Sequence, residues 1–141
     1  DCAPLWGTVE AMLDTTKDIH VIRDATRGGV GTVLYEIAGQ SHVGIHLDSQ
    51  AIPVDPAVRG VCGMLGLEPL YLACEGRLVI FAPKAVAGDI VATLRQGKYS
   101  KDAAIIGEVT ADQPGRVIMR TEIGAETLLP PPGGELLPRI C

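Results

Sequence analysis

The spacing of apolar positions changes several times along this chain, and each change marks an element. In residues 4–13 (PLWGTVEAML) the apolar side chains fall at 5, 6, 9, 12 and 13, close to helical spacing, with Pro4 suited to a first turn. Residues 19–23 (IHVIR) are short and β-branched and predict a strand, which runs into the polar, glycine-rich Asp24-Ala25-Thr26-Arg27-Gly28-Gly29. Residues 31–38 (GTVLYEIA) predict a second helix, ended by Gly39. Residues 43–47 (VGIHL) alternate as a strand does, 52–54 continue extended, and Asp55-Pro56 supplies an N-cap and a first-turn proline for a helix through Leu65, stopped by Gly66.

Residues 70–73 and 77–81 (RLVIF) predict strands joined as a hairpin across Glu75-Gly76. Residues 83–95 (PKAVAGDIVATLR) form an amphipathic helix with apolar positions at 85, 86, 90, 91 and 94, and residues 103–110 and 116–119 are the last predicted strands. About six strands and four helices result. Because a hairpin interrupts the alternation of helix and strand, the expected class is α+β, a mixed β-sheet with packed helices.

One shift in composition occurs, at Leu128. It divides the chain into a folded domain of residues 1–127 and a tail of residues 128–141 that opens on Pro130-Pro131-Pro132-Gly133-Gly134. Prolines lack amide donors, so the tail cannot form a helix or a central strand, and a mobile arm ending in Cys141 is expected. Its 14 residues extend roughly 45 Å at about 3.3 Å each.

Composition narrows the function classes. The chain has 141 residues, 47% apolar but only 4% aromatic, which calls for an aliphatic core and excludes intrinsic disorder. With 12 cations against 17 anions and a net charge of −5, no nucleic-acid or acidic-membrane partner is expected, because phosphate binding needs clustered Lys and Arg. No apolar run reaches the length of a membrane span, and the first residues lack the basic-then-apolar pattern of a signal peptide, so a cytoplasmic location is expected. The cysteines at 2, 62, 74 and 141 are spaced too irregularly for CxxC ligation and read as separate thiols. Cys62 and Cys74 sit in apolar stretches and read as buried small hydrophobes. His20, His42 and His46 show no metal-ligand spacing, and no metal site is expected.

Three features suit chemistry. Between a strand and a helix, the segment Asp24 to Gly31 combines close-approach glycines, free helix amides and Arg27, a set suited to a phosphate or carboxylate. It lacks the Gly-Lys-Ser/Thr of a Walker loop and the GxGxxG fingerprint, and it equally suits a tight turn in which Asp24 caps the next helix and pairs with Arg27. Glu75 sits between apolar segments in Cys74-Glu75-Gly76-Arg77, where burial would raise its basicity; the alternative is a solvent-facing turn position. Cys141 lies on the arm, where a thiolate would suit a carrier of a covalently attached group, or be an incidental last residue.

Taken together, Asp24-Ala25-Thr26-Arg27-Gly28-Gly29, Glu68-Pro69-Leu70-Tyr71-Leu72-Ala73-Cys74-Glu75-Gly76-Arg77-Leu78 and Pro138-Arg139-Ile140-Cys141 resemble the HypE family of hydrogenase maturation proteins. The first two segments also resemble the wider superfamily of aminoimidazole ribonucleotide synthetase, selenophosphate synthetase and thiamine-monophosphate kinase. Pro-Arg-Ile-Cys is the specific sign.

The resemblance implies a two-domain protein. Its N-terminal domain would hold most ATP and Mg2+ ligands and a homodimer interface, and this chain resembles the C-terminal domain alone. In such a protein Cys141 would receive a carbamoyl group from the carbamoyltransferase HypF. ATP would drive dehydration to a thiocyanate, and cyanide would pass to iron on the HypC–HypD scaffold for the [NiFe]-hydrogenase centre. By the same resemblance Glu75 matches the carboxylate taking protons from the thiocarboxamide, with a lysine of the other domain as partner. Asp24, Thr26, Arg27, Gly28 and Gly29 match the glycine loop that faces the interdomain cleft as cofactor-binding residues. The isolated chain is then expected to lack dehydratase activity. The alternatives are a sibling activity of the selenophosphate synthetase or thiamine-monophosphate kinase type, against which the carrier thiol argues, and a noncatalytic module docking a partner through residues 136–141.

Overall fold

A computed structural model describes residues 2–133 of the chain; Cys141 and the Pro-Arg-Ile-Cys motif lie outside the described residues. The elements are α1 (Trp6–Thr15), β1 (Val21–Asp24), α2 (Gly29–Ser41), β2 (Gly44–Asp48), α3 (Pro56–Leu65), a 3₁₀ turn (Pro69–Tyr71), β3 (Leu78–Phe81), α4 (Lys84–Leu94), β4 (Gly107–Thr110), β5 (Val117–Arg120) and β6 (Glu126–Leu128). The class is α+β. A two-stranded antiparallel ribbon, β1–β3, stands apart from a four-stranded mixed sheet ordered β4-β2-β5-β6. Within that sheet β2 runs antiparallel to β4 and parallel to β5, and β5 runs antiparallel to β6.

The longest helix, α2, organises the main core. Val30, Val33, Leu34, Ile37 and Ala38 fall at i, i+3, i+4, i+7 and i+8, a stripe that packs with Ile45 and Leu47 of β2, Val117 of β5, and Leu70 and Tyr71 of the 3₁₀ turn. Leu34 is 2% exposed, so truncating it to Ala would cost about 2–5 kcal/mol. A second, smaller core sets Met12 of α1 against Ile90 and Leu94 of α4. The ribbon separates the two. Val21, Val79 and Phe81 face the α2 core and Ile22 and Ile80 the α1–α4 core, as the two-residue period of strands requires.

Four local expectations need correction. Residues 70–73 are not a strand: Glu68 accepts the Leu70 amide through its carboxylate and Pro69 takes the first helical position, so the chain turns in 3₁₀ form and buries Leu70 and Tyr71 consecutively. No hairpin forms, and β3 pairs with β1 instead. Gly39 does not end α2, which runs to Ser41 and stops at His42, whose φ of +52° breaks the helical path. The boundary set at Leu128 falls inside β6, an edge strand whose polar Glu-Thr pair carries no apolar alternation to announce it. Leu129, one residue further, is fully buried, and its amide donates to the Val117 carbonyl at 2.9 Å.

Candidate functional site

The glycine loop and the Glu75 turn meet at one end of the β1–β3 ribbon. Asp24 pairs with Leu78 as the last register position. Beyond it, the Ala25 amide donates to the Arg77 carbonyl and the Cys74 amide donates to the Ala25 carbonyl, both at 3.1 Å. Ala25 is itself fully buried. One residue therefore fastens the segment Asp24–Gly29 to the turn Cys74–Arg77, two stretches almost fifty residues apart in the chain.

The loop is shaped by its glycines. Gly28 and Gly29 take φ of +72° and +62°, consecutive left-handed positions that cost an L-residue roughly 1–2 kcal/mol each. At Gly29 a Cβ would also stand 2.6 Å from the Leu72 carbonyl oxygen, so the loop presses on the strip that leads into Glu75. Gly28 is the N-cap of α2 and no side chain caps the helix. The alternative in which Asp24 caps α2 is thus not what the chain does; Asp24 belongs to β1 and is exposed. The uncapped amides leave the positive end of a 13-residue helix facing the loop.

Arg27 and Glu75 are exposed, and Thr26 is half-buried. Glu75 occupies a solvent-facing turn position rather than a slot between strands, because the stretch before it is a 3₁₀ turn. Cys62 is buried as expected, whereas Cys74 is only half-buried because it lies in the loop leading to that turn. Beside the loop, Arg23 pairs with Glu36 of α2 at 2.9 Å. Among the described residues no three His, Cys, Asp or Glu side chains converge to hold a metal ion. Nor is any helix among them long and apolar enough to cross a membrane.

Two tyrosines that the sequence reading passed over adjoin the site. Tyr71 lies in the 3₁₀ turn with its ring over Gly31, and its hydroxyl donates to the Pro130 carbonyl. The Tyr35 hydroxyl, from α2, donates to the Leu129 carbonyl. Burial pushes the Tyr71 phenol up to about 12, with the neighbouring Tyr35 and Glu68 adding to the effect. Burial raises Tyr35 as well, against smaller lowering contributions from the Val117 backbone and Arg116. The signal was available in kind: a tyrosine inside an apolar run buries its ring and needs a partner for its hydroxyl.

Residues 3–120 match the family described as "AIR synthase related protein, C-terminal domain". The chain is 44% identical over all 141 residues to "Carbamoyl dehydratase HypE" of Azotobacter vinelandii, covering 41% of that protein. A crystal structure of a HypE–HypF complex superposes with a TM-score of 0.89 at 37% identity, over 94% of this chain and 43% of the other. A crystal structure of hydrogenase maturation protein HypE in complex with ATP superposes with a TM-score of 0.86 at 45% identity, over 96% of this chain and 42% of the other. The chain thus spans less than half the length of these relatives. With two thirds and more of its residues matched by one domain family, and its α+β fold shared with these structures, the chain belongs to the AIR synthase related proteins as a C-terminal domain.

Proposed function

We propose that this chain is the C-terminal part of an ATP-dependent carbamoyl dehydratase of [NiFe]-hydrogenase maturation, in which Cys141 is the carrier, Glu75 the base, and Asp24, Thr26, Arg27, Gly28 and Gly29 the loop facing the nucleotide. The observation that carries this reading is the double hydrogen bond at Ala25, which sets the Glu75 turn beside the glycine loop. A base and an anion-binding loop on one rigid junction are what the dehydration needs. Similarity along the whole chain to a protein named carbamoyl dehydratase supports the same chemistry.

The oxygen of the S-carbamoyl group on Cys141 attacks the γ-phosphorus of ATP, and ADP leaves. The C–O bond then breaks and that oxygen departs with the phosphate. Both N–H protons are lost, one finishing on phosphate and one in solvent by way of Glu75, and a thiocyanate remains on sulfur. Phosphorylation turns a poor leaving group into a good one. Glu75 supplies general-base catalysis, an effect of about 10²–10⁴-fold. The glycine-loop amides and Arg27 balance phosphate charge. Mg2+ would accompany ATP, held mostly by the N-terminal domain that the resemblance implies.

HypF as carbamoyl donor is supported by the relative solved in complex with it. HypC–HypD as cyanide acceptor, a homodimer formed outside this chain, and a cytoplasmic location complete the proposal. The test uses the protein that carries this chain, incubated with HypF, carbamoyl phosphate and ATP, and read by intact mass. The Cys141→Ser variant is expected to take up no carbamoyl group. A normal mass gain in that variant would remove the carrier assignment.

A further inference from the structure

The structure places two phenols on the first residues of the segment that leads to Cys141. Tyr35 of α2 donates to the Leu129 carbonyl and Tyr71 of the 3₁₀ turn donates to the Pro130 carbonyl. Leu129 is held in two further ways, by its amide on the Val117 carbonyl and by its fully buried side chain. Nothing in β6 requires this, since its three residues are exposed and pair only with β5. Tyr71 stands at the centre. Its ring covers Gly31 in the first turns of α2, its backbone precedes the Cys74–Arg77 turn, and Gly29 packs against the carbonyls of residues 70 and 72 beside it.

We propose that Tyr35 and Tyr71 form a clamp that fixes the root of the carrier segment relative to the glycine loop and Glu75, making Tyr71 a positioning residue for the dehydration step; this rests on the function proposed above. Cys141 lies eleven residues beyond Pro130, a tether of at most roughly 36–40 Å. For a tether of fixed length, the local concentration of the thiol-borne group at the site depends on where the tether is rooted. The clamp roots it on the same scaffold that holds the loop and the base.

Two features suit the phenols to this role. The Tyr71 hydroxyl is held up to about 12, so it remains a donor at any physiological pH. Pro130 is exposed, so water can satisfy its carbonyl when the clamp opens. Carbamoyl uptake requires the carrier to reach a site on another protein, where a fixed root brings no advantage. Dehydration requires it to return to this one. Loss of the clamp therefore separates the two steps.

The test compares Tyr71→Phe, Tyr35→Phe and the double variant in the protein that carries this chain. Phenylalanine keeps the ring against Gly31, and melting temperatures are read alongside to confirm folding. Carbamoyl uptake from HypF, carbamoyl phosphate and ATP is followed by intact mass, and thiocyanate formation by single turnover of the isolated carbamoyl adduct with ATP. Uptake is expected at the unaltered rate, with thiocyanate formation slowed about fivefold in Tyr71→Phe and about tenfold or more in the double variant, as the loss of one and then two hydrogen bonds implies. Unaltered thiocyanate formation in the double variant, or both steps falling together with the melting temperature, overturns the clamp. Absence of carbamoyl uptake by the unsubstituted protein overturns the underlying function as well, so the two failures are told apart by the control.

Discussion

Gly31 lies directly beneath the ring of Tyr71: a Cβ at position 31 would stand 2.8 Å from both Cδ1 and Cζ of that ring. The contact joins the start of α2 to the 3₁₀ turn, and the phenol at its far side reaches Pro130. Through this one side chain, the loop that begins α2, the turn that precedes Glu75 and the strand end that precedes the carrier segment become neighbours.

Gly29 should be among the most sensitive positions in the domain. Its φ of +62° disfavours any side chain, and a Cβ would collide with the carbonyls of residues 70 and 72. Gly29→Ala is expected to lower stability by roughly 2–4 kcal/mol, combining backbone strain with overpacking. Gly124 makes a control: its φ is +81° but nothing lies within 4 Å of a Cβ there, so Gly124→Ala should cost only about 1–2 kcal/mol. Urea unfolding of the two variants checks the difference; equal losses would show that the loop is not pressed against the 3₁₀ turn.

Alkaline pH should destabilise the fold through Tyr71. Its folded value is raised to about 12 from an ordinary 10.0, so the folded state holds the proton more tightly. The corresponding stability is complete below pH 10 and is lost as pH rises from there through about 12. Tyr71→Phe has no proton to lose. The expected outcome is a shallower fall in melting temperature between pH 9 and pH 11 for the variant, and identical slopes would show that the phenol is not buried in this way.

Asp48 and Arg120 tie β2 to β5, with 2.5 Å between carboxylate and guanidinium. The Arg120 hydrogen bond holds the Asp48 carboxyl below its ordinary 3.8, and the amide of Gln50 adds to this. A depressed carboxylate stabilises the fold above its unfolded value and ceases to as pH falls below it. Asp48→Asn should therefore be slightly less stable than the unaltered protein at neutral pH, with the gap closing as pH drops below about 4. A gap that persists in acid would assign the effect to packing.

Much of the fold was legible where local pattern and tertiary packing agree. The stripe at Val30, Val33, Leu34, Ile37 and Ala38 identifies α2, and Asp55-Pro56 marks the start of α3, where the Asp55 carboxylate accepts the Ala57 amide at 2.8 Å. The pattern misleads where apolar residues are consecutive for another reason. Leu70, Tyr71 and Leu72 look like a strand, yet Glu68 and Pro69 close a 3₁₀ turn, and the hairpin expected around Glu75 dissolves with it. β6 is invisible because its exposed Glu-Thr-Leu borrows its conformation from the edge of β5.

The site follows the same division. Asp24, Thr26, Arg27, Gly28, Gly29 and Glu75 stand out in the sequence as motifs, and Gly28 and Gly29 do take the left-handed conformation that only glycine adopts cheaply. That the two motifs touch is a property of Ala25 and its bonds to Cys74 and Arg77, which no local pattern encodes. The tyrosine clamp was missed for a similar cause. Its acceptors are backbone carbonyls at Leu129 and Pro130, 94 and 59 residues along the chain from Tyr35 and Tyr71 respectively, and donor and acceptor become adjacent only once α2 and the 3₁₀ turn have packed.

In the proposed function, Glu75 removes protons from a group carried by Cys141. The most direct measurement is mass spectrometry of the peptide bearing Cys141 after one turnover with HypF, carbamoyl phosphate and ATP, in the protein that carries this chain and in its Glu75→Gln variant. Glu75 is exposed, so the substitution leaves the core untouched. The account predicts thiocyanate on Cys141 in the unaltered protein and a persistent carbamoyl group in the variant. Thiocyanate formed in the variant at the unaltered rate, or an unmodified Cys141 in the unaltered protein, would contradict it.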